Sequence, residues 1–176
     1  KFMRILLTGK NGQVGGELAR SLSTLGTVIA MGRDQLDLAK PETLGSVIKK
    51  LQPDIIVNAA AYTAVDKAES EPDLAMTVNG VAPGVIAQEA KSIGAGMIHY
   101  STDYVFDGNS PSPYKEDDPT SPLNVYGKSK LEGERGVIQT GIPHVILRTS
   151  GVFSLRGNNF LLTMQKLAKN RKQIKV

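Results

Sequence analysis

The chain has 176 residues, 40% of them hydrophobic and 22% charged, which suffices for one large globular domain with a buried core. It has no cysteine and two histidines, so disulfides and thiolate metal sites are excluded, and we expect no metal site. The net charge of +4 comes mostly from dispersed basic residues, which favours a small anionic ligand over nucleic acid. No apolar run approaches the roughly 20 residues that span a membrane, and no secretory leader is recognisable. We therefore expect a cytoplasmic protein without membrane contact.

The first third of the chain alternates strand and helix patterns. Met3–Thr8 is a short apolar run that predicts a buried strand, and the glycine-rich turn Gly9–Gly16 follows it. Apolar residues at helical spacing predict a helix over Gln13–Leu25, which Gly26 ends. Thr27–Met31 predicts a second strand, and Pro41–Leu51 an amphipathic helix that begins with proline.

The alternation continues as far as Thr149. The pattern predicts, in chain order, a strand at Ile55–Asn58, a helix near Asp73–Ile93, a strand at Gly96–Ser101, a loop at Asp107–Pro122, a helix at Val125–Gln139 and a strand at His144–Thr149. Alternating strands and helices are typical of βαβ units, whose right-handed crossovers cover both faces of a parallel sheet. The sequence therefore predicts an α/β fold with a Rossmann-like, doubly wound parallel sheet.

The glycine loop after the first strand has the spacing G-x-x-G-x-x-G, with Gly9, Gly12 and Gly15 opening the helix. Glycine allows the tight turn, the close approach of a diphosphate to the backbone and the packing of the helix near the strand. Free N–H groups at the helix N-terminus then favour the phosphates. The pattern predicts a dinucleotide site, and the alternative is a tight strand–helix turn without a ligand.

Arg33 follows the second predicted strand, where NAD-binding proteins usually carry an acidic residue. Its guanidinium could pair with the 2′-phosphate of NADP, or it could be an ordinary exposed arginine. We expect NADPH as the cofactor and leave NADH open. Asp37 and Leu38 lie further on, where the adenine edge could be met.

Tyr126 and Lys130 form a Y-x-x-x-K pattern on the helix predicted just before the fifth strand. They lie one turn apart on the same face of that helix. Reduction of a ketone needs a proton for the carbonyl oxygen, and a tyrosine near a lysine cation can supply it because the cation lowers the phenol pKa. Thr102, after the fourth strand, could hold the substrate oxygen. The pattern alone also describes an ordinary surface pair on a helix.

Five stretches together resemble the extended short-chain dehydrogenase/reductases and, within them, the dTDP-4-dehydrorhamnose reductases. They are Gly9–Gly15, Asp54–Pro72, His99–Gly108, Pro122–Glu134 and Arg148–Phe160. The resemblance implies NAD(P)H-dependent reduction of the C4 keto group of dTDP-4-dehydro-β-L-rhamnose, a step toward dTDP-rhamnose and cell-surface polysaccharide. It also implies the following cofactor contacts: Gly12, Gln13 and Val14 at the diphosphate, Asp37 and Leu38 at the adenine, Ala61, Tyr62 and Thr63 at the ribose and nicotinamide, and Tyr100 beside them.

The resemblance assigns the chemistry to few residues. Tyr126 would donate the proton, and Lys130 would hold the nicotinamide ribose and tune Tyr126. Thr102 and Asp103 would contact the substrate. Asn79 matches a helix asparagine that supports the lysine.

Two departures from the family pattern bear on the substrate. Members commonly carry a sugar-contacting tryptophan where this chain has Gly151, so the sugar could differ. Members also continue beyond the position of Val176. We therefore expect residues 1–150 to form the NAD(P)-binding domain and residues 151–176 to begin a substrate-binding region that is largely absent from this chain.

Two other functions stay open. One is a nucleotide-sugar epimerase or dehydratase of the same superfamily, and the other is a non-catalytic NADP-binding regulatory subunit. The run from Asp66 to Glu69 is expected to be a solvated helix start rather than part of a site. The oligomeric state stays open as well, a homodimer included.

Overall fold

Residues 2–170 and 173 are described in a computed structural model, and within them five parallel strands form one sheet. The strands are β1 (Met3–Thr8), β2 (Gly26–Met31), β3 (Ile55–Asn58), β4 (Gly96–Thr102) and β5 (His144–Thr149). Their order across the sheet is β2-β1-β3-β4-β5, so β1 is flanked by β2 on one side and β3 on the other. The chain thus changes direction across the sheet beside β1, the position where open α/β sheets form their ligand crevice.

Helices connect the strands. They are α1 (Gln13–Ser21), α2 (Pro41–Leu51), α3 (Val65–Ala68), α4 (Pro72–Met76), α5 (Ala82–Ser92), α6 (Val125–Thr140) and α7 (Phe160–Asn170). Helix α6 has well-defined ends, because the Asn124 side chain accepts a 2.7 Å hydrogen bond from the Gly127 N–H and Gly141 adopts a left-handed conformation after the last turn. The described residues include no helix long and apolar enough to cross a membrane.

The core lies on both faces of the sheet because side chains of β1 alternate in direction. Leu6 packs with Leu44 of α2 and Ile86 of α5 in one fully buried cluster. Ile5 and Leu7 point to the opposite face, where residues of α1 cover them. Each buried side chain of this size contributes about 1.5–3 kcal/mol. The predicted doubly wound parallel sheet is confirmed.

Two predicted helices differ from the structure. The first ends at Ser21, and Leu22–Thr24 forms a 3₁₀ turn that leads directly into β2. The long helix predicted near Asp73–Ile93 is divided by a π-helical turn at Thr77–Val81. This turn carries Asn79, whose buried amide donates to the Tyr62 carbonyl at 3.0 Å and to Ser129 Oγ at 3.1 Å. A helix of regular pitch would rotate Asn79 away from these partners, which is a physical reason for the bulge.

Candidate active site

A cavity of about 720 Å³ opens at the carboxyl ends of the strands. This volume lies within the range of small-molecule sites. The predicted site residues that line it are Gly9, Gly12, Gln13, Val14, Arg33, Asp37, Leu38, Ala61, Tyr62, Thr63, Tyr100, Tyr126 and Lys130. Gly15, Thr102, Asp103 and Gly151 are not among the described residues of its lining. The structure therefore brings the glycine loop and the tyrosine–lysine pair to one cavity, although 114 positions separate Gly12 from Tyr126 in the sequence.

The glycine loop needs glycine at two positions for steric reasons. Gly9 has a φ of +77°, and a Cβ there would lie 2.8–2.9 Å from backbone atoms of Ala59 and Ala60. A Cβ at Gly15 would lie 2.0 Å from the Gly9 carbonyl oxygen. Helix α1 therefore begins directly against the end of β1, and no side chain caps its N-terminus. Gly12, Gln13 and Val14 at the start of α1 line the cavity, an arrangement suited to a phosphate.

The end of the cavity beside β2 has an apolar wall and an exposed arginine. Leu36 and Leu38 are each 4% exposed and supply the apolar wall. Arg33 Nε lies 3.4 Å from Asp37 Oδ1, and the Arg33 side chain is 76% exposed. An exposed ion pair of this kind is worth at most about 1 kcal/mol. Arg33 can therefore exchange this partner for another anion at little cost.

A charged triad on the opposite wall was missed by the sequence analysis. The Tyr62 hydroxyl donates to Glu71 Oε2 at 2.7 Å, and Lys67 Nζ lies 2.8 Å from Glu71 Oε1. All three side chains line the cavity. The hydrogen bond from Lys67 lowers the pKa of Glu71, while desolvation and Glu71 raise the pKa of Tyr62. The four-residue spacing of Lys67 and Glu71 was the available signal, but Lys67 was assigned to a solvated helix start.

Lys130 is the most deeply buried charged group of the site. It is 2% exposed, and its ammonium donates to the Tyr100 carbonyl at 2.6 Å. Burial lowers the pKa of Lys130 to about 8, and the nearby Glu134 carboxylate opposes this shift. Lys130 is thus held at the floor of the cavity, one helical turn from Tyr126, as the sequence predicts.

The Tyr126 phenol differs from expectation in the direction of its pKa shift. Burial is the largest cause and raises its pKa, Asp103 and Tyr104 raise it further, and the Thr102 hydroxyl acts in the opposite direction. The predicted lowering by Lys130 is therefore wrong for this structure, because desolvation of the phenolate dominates. The Tyr126 ring also packs edge-on against Tyr104, with ring centroids 5.6 Å apart.

Thr102 and Asp103 lie where β4 ends, beside the cavity. Thr102 Oγ1 donates to Asp103 Oδ1 at 3.1 Å and accepts the Tyr104 N–H at 3.2 Å, which caps the 3₁₀ turn Asp103–Val105. Asp103 lines a second cavity of about 400 Å³, together with Tyr104, Phe106, Asp107, Gly108, Tyr114, Leu123 and Asn124.

Gly151 and Asn79, two other residues named from the sequence, differ in their contacts. Gly151 follows β5 with a φ of +21°, and a Cβ built there meets no atom within 4 Å. Asn79 contacts Tyr62 and Ser129, so it connects the π-helical turn to the cavity wall and to α6. No group of three or more metal-ligating side chains is found within residues 2–170.

Comparison with known proteins gives consistent matches over the whole chain. The family model of the RmlD substrate binding domain matches residues 3–176. A dTDP-4-dehydrorhamnose reductase from Burkholderia thailandensis is 56% identical over 174 residues, which are 99% of this chain and 58% of that protein. The enzyme of the same name from Escherichia coli K12 is 50% identical over 178 residues, again 99% of this chain and 60% of that protein.

A solved structure gives the same picture. The crystal structure of dTDP-4-dehydrorhamnose reductase from Bacillus anthracis in complex with NADP superposes with a TM-score of 0.95 at 36% identity, and the match covers 99% of this chain and 62% of that one. The chain thus spans about 60% of the length of the relatives that it matches.

Proposed function

The chain belongs to the RmlD substrate binding domain family, and from this membership we propose that it forms the cofactor-binding and catalytic part of a dTDP-4-dehydrorhamnose reductase. The reaction is the reduction of the C4 keto group of dTDP-4-dehydro-β-L-rhamnose to dTDP-β-L-rhamnose. One observation carries the proposal: Tyr126 and Lys130 line the same cavity as the glycine loop. The names of the relatives support the choice of sugar nucleotide.

The residues of the cavity suit a dinucleotide. The uncapped N-terminus of α1 and the bare backbone at Gly12 would hold the diphosphate. Leu36, Leu38 and Asp37 would hold the adenosine end, and Ala61, Tyr62, Thr63 and Tyr100 would line the nicotinamide side. The cofactor supplies the hydride.

NADPH is the cofactor that we propose, with NADH as the alternative. Arg33 lines the cavity with a largely exposed side chain and its pair with Asp37 is weak, so it can pair with a 2′-phosphate. The NADP in the B. anthracis structure supports this choice.

The side chains of the site divide the remaining chemistry among them. Tyr126 donates a proton to the C4 oxygen as the carbonyl is reduced. Lys130 binds the ribose hydroxyls of the nicotinamide end and keeps positive charge close to the phenol. Thr102 donates a hydrogen bond to the same oxygen once its hydroxyl turns away from Asp103, and Asp103 contacts the sugar. The raised pKa of Tyr126 keeps its proton in place until the oxygen becomes basic.

The sugar pocket involves the segment after β5. We propose that Gly151 borders the sugar and that residues 151–176 begin the substrate-binding region. Glycine at position 151 has no side chain to contact the sugar, whereas the tryptophan common in the family does.

The alternatives make different demands on the same residues. A regulatory subunit needs neither Tyr126 nor Lys130, yet both line the cavity here. An epimerase or dehydratase retains oxidised cofactor through its cycle, so tightly bound NAD after purification would favour it.

The test is NADPH oxidation followed at 340 nm, with enzymatically generated dTDP-4-dehydrorhamnose and the protein as its gene encodes it. Tyr126→Phe is the matched variant, since it removes only the phenolic hydroxyl that donates the proton. We expect oxidation by the wild type and a loss of about 100-fold or more in kcat for Tyr126→Phe. Equal rates for the two proteins would contradict the role of Tyr126. Cofactor binding without oxidation would contradict the proposed reaction.

A further inference from the structure

An ion pair between a buried carboxylate and a partly exposed arginine lies next to the site. The Glu134 side chain on α6 is 2% exposed, and its two oxygens accept hydrogen bonds from Arg148 Nε at 2.9 Å and Arg148 Nη2 at 2.7 Å. Ser101 Oγ donates a third bond to Glu134 Oε1 at 2.5 Å. A carboxylate removed from water is stable only when its oxygens are satisfied in this way. The pair therefore fixes α6 to β4 and β5 at once.

The position of the pair relates it to the catalytic residues. Glu134 follows Lys130 by four positions, so both side chains project from the same face of α6. Ser101 directly precedes Thr102 on β4. The ion pair thus connects the helix that carries Tyr126 to the strand end that carries Thr102.

The outer edge of the Arg148 guanidinium holds the loop of residues 107–122. Arg148 Nη1 donates to the Glu116 carbonyl at 3.1 Å, and Arg148 Cζ lies 5.0 Å above the centre of the Phe106 ring. Phe106 also stacks on Tyr114, with ring centroids 4.3 Å apart. Tyr114 in turn donates to Asp107 Oδ1 at 2.6 Å. One guanidinium therefore anchors a loop that has no helix or strand of its own.

This loop forms a wall of the second cavity. Phe106, Asp107 and Tyr114 line that cavity together with Asp103, the residue proposed to contact the sugar. Release of the loop would deform this cavity. The glycine loop and the adenosine end lie in the other cavity and have no contact with Arg148 in the described contacts.

We propose that Arg148 is a positioning residue that holds the loop of residues 107–122 as a wall of the sugar site. Its ion pair with Glu134 fixes the position of this loop relative to α6. The part that concerns the sugar rests on the proposed function. Lysine cannot replace Arg148, because an ammonium offers neither the two-pronged pairing with Glu134 nor a flat surface for Phe106.

Three variants test the proposal in the protein as its gene encodes it. Arg148→Lys keeps the positive charge and removes the two parallel hydrogen bonds of the guanidinium to Glu134. Phe106→Leu keeps the ion pair and removes the ring, which protects the test if Arg148→Lys folds poorly. Arg135→Lys is the matched control, since Arg135 lies exposed on α6, the helix that carries Glu134, in a 3.5 Å pair with Glu132.

Two measurements apply to each variant. Amide hydrogen exchange in residues 107–122, without substrate, should accelerate about tenfold or more in Arg148→Lys and Phe106→Leu, and should match the wild type in Arg135→Lys. Steady-state kinetics should show a rise of about tenfold in KM for the dTDP-sugar, with KM for NADPH within about twofold of the wild type. A general loss of structure would raise both KM values.

Exchange in the loop at the wild-type rate in both variants would overturn the proposal, and so would a released loop with an unchanged sugar KM. An equal rise in the two KM values would overturn it as well. If the wild type reduces no dTDP-sugar, the proposed function fails, and the anchoring role of Arg148 is then decided by the exchange measurement alone, which needs no substrate.

Discussion

His99 should make the stability of this protein depend on pH in a range where few other groups titrate. It lies on β4 with no exposed surface. Asn58 Nδ2 lies 3.1 Å from His99 Nδ1, and Asn58 Oδ1 accepts a 2.6 Å hydrogen bond from Thr8 Oγ1. The Thr8 hydroxyl accepts the Ala60 N–H, so its own proton must go to Asn58. This order of donors makes His99 Nδ1 an acceptor and the ring neutral.

Burial lowers the pKa of His99 well below 6.5, and the positive charge of Lys130 adds to this effect. Below pH 6.5 the imidazole of His99 is therefore protonated in the unfolded chain but stays neutral in the folded protein. The folded state keeps its full stability above this pH and loses up to about 1.4 kcal/mol per pH unit as the pH falls from 6.5 toward the folded pKa of His99. Between pH 7.5 and pH 5.0 the loss is at most about 2 kcal/mol, a large part of the 5–15 kcal/mol typical of a domain.

Urea unfolding at pH 7.5, 6.0 and 5.0 measures this slope. His99→Gln should be less stable at pH 7.5, because the core loses its fit, but should show no slope between pH 6.5 and pH 5.0. His144→Gln is the matched control, since His144 is exposed, and it should keep the wild-type slope.

Glu71 and Asp107 do not obscure the measurement. Their pKa values are lowered by hydrogen bonds, so their contributions are lost only below the ordinary carboxylate values of 4.5 and 3.8. A wild-type slope that persists in His99→Gln would refute the assignment of a neutral, buried His99.

Three further predictions concern packing and the glycine loop. Gly133→Ala should destabilise the protein by about 1–3 kcal/mol in urea unfolding, because its Cβ would lie 2.1 Å from a carbonyl oxygen of the π-helical turn. Gly84→Ala is the control and should be neutral or slightly stabilising, because a Cβ there meets no neighbour closer than 3.5 Å. Equal effects of the two would contradict the close packing of α6. Leu44→Ala should cost about 2–5 kcal/mol, and the 63% exposed Leu25 should lose less than about 0.5 kcal/mol on the same change, so similar losses would contradict the assigned core. Gly15→Ala should weaken NADPH binding about tenfold or more by calorimetry, and unchanged affinity would contradict the steric role of Gly15.

The strands could be predicted closely because each is a short apolar run with clear ends. The predicted bounds of β1, β3 and β5 match the structure. The first helix was predicted too long because Leu25 appeared to continue its apolar stripe, but the chain turns early to enter β2 and leaves Leu25 exposed. The π-helical turn has no local signal, since its cause is the set of partners that Asn79 meets on other elements.

The candidate site also has features that the sequence predicts and features that depend on contacts between distant residues. The glycine loop, Tyr126 and Lys130 line one cavity, and this could be expected from the sequence because each pattern is local and follows a predicted strand end or helix. The contacts of Glu71 with Tyr62, and of Glu134 with Arg148, join different elements, and no sequence pattern brings such residues together. The pKa of Tyr126 depends on how deeply the fold buries the phenol, which the Y-x-x-x-K spacing does not determine.

The central claim is that hydride reaches C4 of the sugar. The direct measurement uses NADPH carrying deuterium at both C4 positions of the nicotinamide, dTDP-4-dehydrorhamnose, and NMR of the product formed by the protein as its gene encodes it. The account predicts dTDP-rhamnose with one deuterium at C4 of the sugar and none elsewhere. A product without deuterium at C4, or with deuterium at another carbon, would contradict it.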